Sequence, residues 1–243
     1  MNDWMLCILR TLFGGVVCAV GSFAYIASIW SIEKNVYDVN CFDGVDKFTL
    51  LYDKGCLIGS AAFAVIMSLC ILFKLLPFIG KPTDMFDEYK GNRCLSIKGV
   101  LVVIFSCVIV VAIGLVCGKY VKISNLNSFG RQLSNDIVDM KLYKLIVRSV
   151  LGGLIEYCAF IGCHVYGRSF RTYLLCLLFS FAMSYSSARL MLSDLFFLLF
   201  ACGKVKDVII ISLIEWAGNT VGSLFTSLMF KNKSCKVEGL DDV

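Results

Sequence analysis

Six long apolar runs, separated by short stretches that carry most of the charge, make up the pattern of this chain: Thr11 to Ile32, Gly55 to about Gly80, Gly99 to Gly118, Ser149 to Gly167, Thr172 to Gly203 and Val208 to Phe230. About 20 apolar residues suffice to carry a helix across a bilayer, so each run predicts a membrane span. The fifth run is too long for one straight span and holds two charges, Arg189 and Asp194. Its centre, SYSSARLMLSD, puts hydroxyls, a base and an acid at the depth where polar groups cost most. The reading this supports is a broken helix, two halves meeting at a polar break. The second run is interrupted too: GCLIGSAAFAVIMSLCILF meets Lys74 and continues LLPFIG, and the only two prolines, Pro77 and Pro82, stand at its end.

The runs pair up across the chain. RTLFGGV at Arg10 to Val16 and RSVLGGL at Arg148 to Leu154 share a pattern at an offset of 138 residues. KGVLVVIF at Lys98 and KDVIIISL at Lys206 open the third and sixth runs, with Gly114 and Gly222 in matching places. Two matched starts in the same order argue for a duplication, about 5–119 and about 144–231, before a short polar tail at 232–243. Three spans per half is an odd number, so the second half enters the membrane in the opposite sense. The fold expected is a single all-α polytopic transmembrane domain: six spans in two inverted three-helix repeats, with broken helices two and five, an aquaporin-like arrangement. Within the connection from Lys119 to Arg148, NDIVDMKLYKLIV predicts an interfacial amphipathic helix.

Composition agrees with a membrane chain, since 58% of the 243 residues are hydrophobic and 17% charged, which leaves no room for a second, soluble domain. The net charge of +5 is spread over the loops and does not suggest nucleic acid. Orientation stays open because the basic residues divide equally between the two sides. The thirteen cysteines lack CxxC spacing and mostly fall in the apolar runs, as small buried side chains. With His164 the only histidine, no histidine cluster is available for a metal, and no cofactor is expected. No nucleophile and base constellation or phosphate loop stands out, so an enzyme is not expected.

In its second half the chain resembles the formate/nitrite transporter family, whose members carry weak monovalent acids such as formate, nitrite, lactate or hydrosulfide. The residues that carry the resemblance are RSVLGGLIEYCAF at Arg148 to Phe160, SDLFFLLFACG at Ser193 to Gly203, and EWAGNTVGSLF at Glu215 to Phe225 with its Gly218, Asn219 and Gly222. RTLFGGVVCAVGSF at Arg10 to Phe23 is similar to the family's first span. Two landmarks depart from the pattern. Where the family's fifth helix presents a central histidine, this sequence has Leu190, within Ala188, Arg189, Leu190 and Met191. Where the second helix presents a threonine, it has Lys74, after Phe73. The resemblance implies a homopentamer in the plasma or inner membrane. It also implies a pathway that favours the protonated, neutral form of a small monovalent anion, with protons as possible co-substrate.

Candidate pathway residues are therefore Phe73, Lys74, Arg189, Leu190 and Asn219. An arginine this deep costs about 2.5–3.5 kcal/mol on insertion scales unless it finds a partner or water. Glu156 and Glu215 are its candidate buried partners, and Asp194 either balances it or caps the second half-helix. Arg189 either attracts an anion or locks the bundle. Lys74 either snorkels to the interface or offers its charge in the span-two break. Asn219 is expected to hydrogen-bond across helices or tie the span-two break, and the paired glycines to allow close packing. Two other outcomes are a non-conducting structural or regulatory membrane protein on the same scaffold and a channel for another small solute. The absence of paired Asn-Pro-Ala motifs argues against the aquaporin type of the latter.

Overall fold

The computed structural model describes residues 3–37, 45–72, 97–121, 126–166, 169–186, 188–201 and 203–234. Helices account for nearly all of them, and there is no strand among the described residues. The helices are α1 (Asp3–Tyr37), α2 (Val45–Leu72), α3 (Ile97–Tyr120), α4 (Leu126–Val138), α5 (Leu142–Tyr166), α6 (Phe170–Tyr185), α7 (Met191–Phe200) and α8 (Val205–Ser234). Among the described residues, two helical stretches, Ile8–Ser31 and Val205–Met229, are long and apolar enough by themselves to cross a membrane; Gly55–Leu69, Ile104–Tyr120, Phe170–Tyr185 and Met191–Phe200 are shorter apolar helices. The expected interruption of the second run, with Phe73, Lys74, Pro77 and Pro82, lies outside the described residues.

The long helices turn their polar residues inward. On α8, Ser212, Glu215, Asn219, Ser223 and Thr226 are buried, spaced three or four apart as one face of a helix, while Ile209, Leu213, Trp216, Phe225 and Leu228 are exposed. On α1 the buried face carries Thr11, Cys18 and Ser22, and the outer face Leu9, Phe13, Val16 and Val20. A helix in water does the reverse. Several buried hydroxyls bond back to their own helix, as Ser22 does to the Cys18 carbonyl at 2.9 Å and Ser149 to the Leu145 carbonyl at 2.7 Å, so they pack without needing water.

Small residues set how closely the helices approach. A Cβ added at Gly153 would run into the Asn219 carbonyl, and one at Gly222 into the Val150 carbonyl, so α5 and α8 meet backbone to backbone. Gly15 plays a comparable part between α1 and α3, where a Cβ would stand 3.2 Å from Ile109. α1 also packs along α2, and α2 along α6.

The fifth run is split. α6 starts at an N-cap, Ser169, whose hydroxyl accepts a hydrogen bond from the Thr172 N–H at 3.2 Å. It ends at Tyr185, and α7 begins at Met191. All but one residue of α7 is buried, as expected of a helix that is apolar on every side. It is enclosed by α1, α3, α4 and α8. Its Phe196 and Phe200 rings stack at 5.9 Å between centroids, Phe23 of α1 meets Phe200 edge-on at 6.3 Å, and Tyr25 meets Phe197 at 6.0 Å.

The amphipathic helix of the long connection falls earlier than the sequence predicts. It is α4, which buries Leu126, Gly130, Ser134 and Ile137 on one face against α7 and α1. The chain then turns at Asp139 and Met140, and LYKLIV opens α5 instead. No glycine or proline marks that turn, which is why the apolar periodicity runs across it unbroken.

Candidate functional site: the break between α6 and α7

Splitting a helix exposes backbone groups at both new ends, and those of α7 are served by other helices. The N-cap position, Leu190, offers no side-chain hydrogen bond. The Asn219 carboxamide of α8 replaces it: Oδ1 accepts from the Met191 N–H at 3.1 Å, while Nδ2 donates to the Arg189 carbonyl at 2.8 Å and to the Ser149 carbonyl of α5 at 2.7 Å. One buried amide thus joins three segments and fills most of its hydrogen-bonding capacity. The Arg189 N–H donates to the Arg148 carbonyl at 3.1 Å, and a Cβ at Gly152 would strike the Arg189 carbonyl. The break is therefore seated on α5 along Arg148, Ser149 and Gly152, beyond its first turn.

Arg189 turns back to the first turn of α7, where its Nη1 lies 3.2 Å from Asp194 Oδ1. Asp194 is also suited to that end, since a negative charge there complements the helix dipole. Glu215 of α8 is the second acid near Arg189 and stands within hydrogen-bonding reach of the Asp194 carboxyl. Asp194 and Glu215 are 2% and 0% exposed. Glu156 is buried elsewhere, within electrostatic reach of Cys18 on α1. Of the acids the sequence offered as partners for Arg189, then, Asp194 makes the ion pair, Glu215 stands behind it, and Glu156 is apart.

Above the break opens a cavity of about 490 Å³. Ala188, Arg189, Leu190, Ser193 and Asp194 line it from the break and α7; Tyr25, Cys56, Phe63, Asp136, Arg148 and Met183 line it from the surrounding helices. Leu190 is 6% exposed. Arg148 and Asp136 bring one charge of each sign to the wall, and the Arg148 Nη1 lies 3.9 Å from the Met140 sulfur.

Of the candidate residues, Arg189, Leu190, Asn219, Asp194 and Glu215 are brought together at the break, and Phe73 and Lys74 lie outside the described residues. Tyr25, Cys56, Asp136, Arg148 and Ser193 were not singled out for the pathway in the sequence. Arg148 was visible only as the first residue of a repeated motif, and Ser193 as the residue before Asp194. Nothing in the local pattern of Tyr25 or Cys56 sets them apart from other small or aromatic residues in apolar runs.

Comparison with solved structures shows that this chain shares the fold of a formate channel. One solved structure that it resembles is a pentameric formate channel with formate bound, which aligns with a TM-score of 0.69 at 13% sequence identity, covering 97% of this chain and 99% of that one. No family model matches the sequence, and no curated protein does.

Proposed function

We propose that this chain is a membrane channel or transporter for a small monovalent anion or its neutral weak acid, of the formate, nitrite, lactate or hydrosulfide class. The observation that carries the reading is the cavity floored by the break between α6 and α7, in a chain with the fold of a formate channel. The outer faces of α1 and α8, with Phe13, Val20, Leu213, Phe225 and Leu228 exposed, form far more apolar surface than a water-soluble monomer tolerates. Lipid and neighbouring protomers are the partners such faces fit, and the similar structure is pentameric, which supports a homopentamer in the plasma or inner membrane.

Two observations support the inverted repeat. Cys18 and Glu156 occupy equivalent places at the 138-residue offset and lie within electrostatic reach of each other, as residues beside a pseudo-two-fold axis would. Gly15 packs α1 on α3 as Gly153 packs α5 on α8.

In this reading the cavity gathers the anion, and the apolar constriction at Leu190 favours passage of the neutral form, because an ion loses its hydration there and an uncharged acid loses little. A second reading has its own observation. Leu190 is buried at the break and Arg189 is already paired with Asp194, the features of a plugged scaffold with a structural role. Uptake of labelled formate, lactate and nitrite into liposomes holding the purified protein, over a range of external pH and with Arg189→Leu beside the wild type, separates the two. Saturable uptake that rises as pH falls, and changes in the folded variant, supports the channel. Uptake no greater than in empty liposomes, from correctly assembled protein, refutes it and favours the plugged scaffold.

A further inference from the structure

The buried charges at the break do not balance as drawn. Arg189 brings one positive charge, and Asp194 and Glu215 bring two carboxyls within hydrogen-bonding reach of one another. Ionised carboxylates only accept hydrogen bonds, so two that face each other attract only when a proton lies between them. Asp194 Oδ1 is taken by Arg189, while Asp194 Oδ2 and both oxygens of Glu215 have no other donor, although both residues are almost wholly buried. Two ionised carboxylates against one guanidinium would leave a net negative charge out of water, where it is strongly disfavoured; one shared proton brings the cluster to neutrality.

We propose that Asp194 and Glu215 hold one proton between them beside Arg189, and that this pair is the proton donor to an anion in the cavity. The donor role rests on the channel reading; the shared proton does not. Asp194 reaches the cavity directly, and Glu215 stands behind it with no exposed surface, so the proton passes by way of Asp194. The other charged or titratable groups around the cavity are Tyr25 on α1, Cys56 on α2, Asp136 on α4, Arg148 on α5 and Tyr185 on α6. Arg148 and Asp136 add one charge of each sign to the wall, and the proton count at the break is set by Arg189 and its two acids.

In the step itself, the O–H bond of the pair's carboxylic acid breaks and an O–H bond forms on the arriving carboxylate, such as formate. The neutral acid moves on past Leu190, and the pair is left with two carboxylates against Arg189 until a proton arriving from water through the cavity restores it. A histidine at this depth is thereby unnecessary: a carboxyl pair with one cation releases and regains a proton without a second basic side chain.

The test uses the full-length protein in liposomes, with two readouts on wild type, Glu215→Gln and Asp194→Asn. Infrared difference spectroscopy in H₂O and D₂O reports the carbonyl stretch of a protonated carboxylic acid. The wild type is expected to show a band that disappears in both variants, because either remaining carboxyl alone is the ionised partner of Arg189. Its persistence in both variants assigns it to another acid such as Glu156, and that result, or its absence from the wild type, overturns the shared proton. The second readout is formate-driven proton entry, followed with a trapped pH dye. It is expected to fall at least tenfold in Glu215→Gln, whose amide preserves the contact with Asp194 but cannot give up a proton in its place. Unchanged proton entry with unchanged pH dependence in this variant overturns the donor role. If the band behaves as expected but wild-type protein admits no formate, the channel reading and the donor role fall together and the shared proton stands.

Discussion

Replacing Asn219 by alanine tests how the broken helix is held together. The carboxamide is 1% exposed and makes three hydrogen bonds, to the Met191 N–H, the Arg189 carbonyl and the Ser149 carbonyl. Inter-helix side-chain hydrogen bonds in membrane proteins average about 0.6 kcal/mol each, so losing three sets a floor of about 2 kcal/mol. The Met191 N–H raises it: it stands in the first turn of α7, where no carbonyl of its own helix can reach it, and leaving such a group buried and unpaired costs about 1–3 kcal/mol. The expected loss is therefore about 2–5 kcal/mol. Reversible unfolding in mixed detergent and SDS micelles, followed by tryptophan fluorescence, measures it. Asn219→Asp divides the effect, since it keeps the acceptor for Met191 but turns a carboxylate oxygen, which cannot donate, toward the Arg189 and Ser149 carbonyls. It is expected to be no more stable than Asn219→Ala. If Asn219→Ala unfolds within about 0.5 kcal/mol of the wild type, as a substitution with no structural role would, the amide does not hold the break and the reasoning fails.

Two further outcomes follow from the packing and the cavity. Gly153→Ala drives a methyl group against the Asn219 backbone, which has no flexible end to give way, so the α5 and α8 pair must separate; a loss of about 1–3 kcal/mol or more is expected in the same unfolding assay, and wild-type stability would contradict the contact. Cys56 lines the cavity, while Cys18 and Cys176 are buried, so a short pulse of a water-soluble methanethiosulfonate is expected to modify Cys56 before Cys18 and Cys176, as read by peptide mass spectrometry; labelling of Cys18 before Cys56 would deny the cavity its access to water.

The break was legible because its cause lies in the sequence. Hydroxyls, Arg189 and Asp194 in the middle of an apolar run leave the chain few ways to satisfy them inside a membrane, and a discontinuous helix is one. The glycines at 152, 153, 218 and 222 were legible as packing sites for a similar reason, since small residues spaced along an apolar helix have little else to offer. The partners were not legible. Three acids were compatible with Arg189, and only the crossing of α7 and α8 distinguishes Asp194 and Glu215 from Glu156. Asn219 could be placed between helices from its side chain alone, but which backbone groups it reaches depends on which carbonyls α5 turns toward the break. The cavity wall was the least visible, because Tyr25, Cys56 and Asp136 come from three separate helices and share no motif. The register of α4 was misplaced by a turn at Asp139 and Met140 that carries neither glycine nor proline.

The contacts that seat the break are mostly made by main-chain atoms. Arg148, Ser149 and Arg189 contribute carbonyls, Met191 and Arg189 contribute N–H groups, and the glycines contribute only the lack of a side chain. Apart from Asn219 and the glycines, almost any residue in these positions supplies the same atoms. A scaffold specified this way tolerates extensive drift in the side chains that line the cavity, which is how a chain 13% identical to a formate channel can still superpose along nearly its whole length. It also means that the side chains lining the cavity can be exchanged without the architecture registering the change.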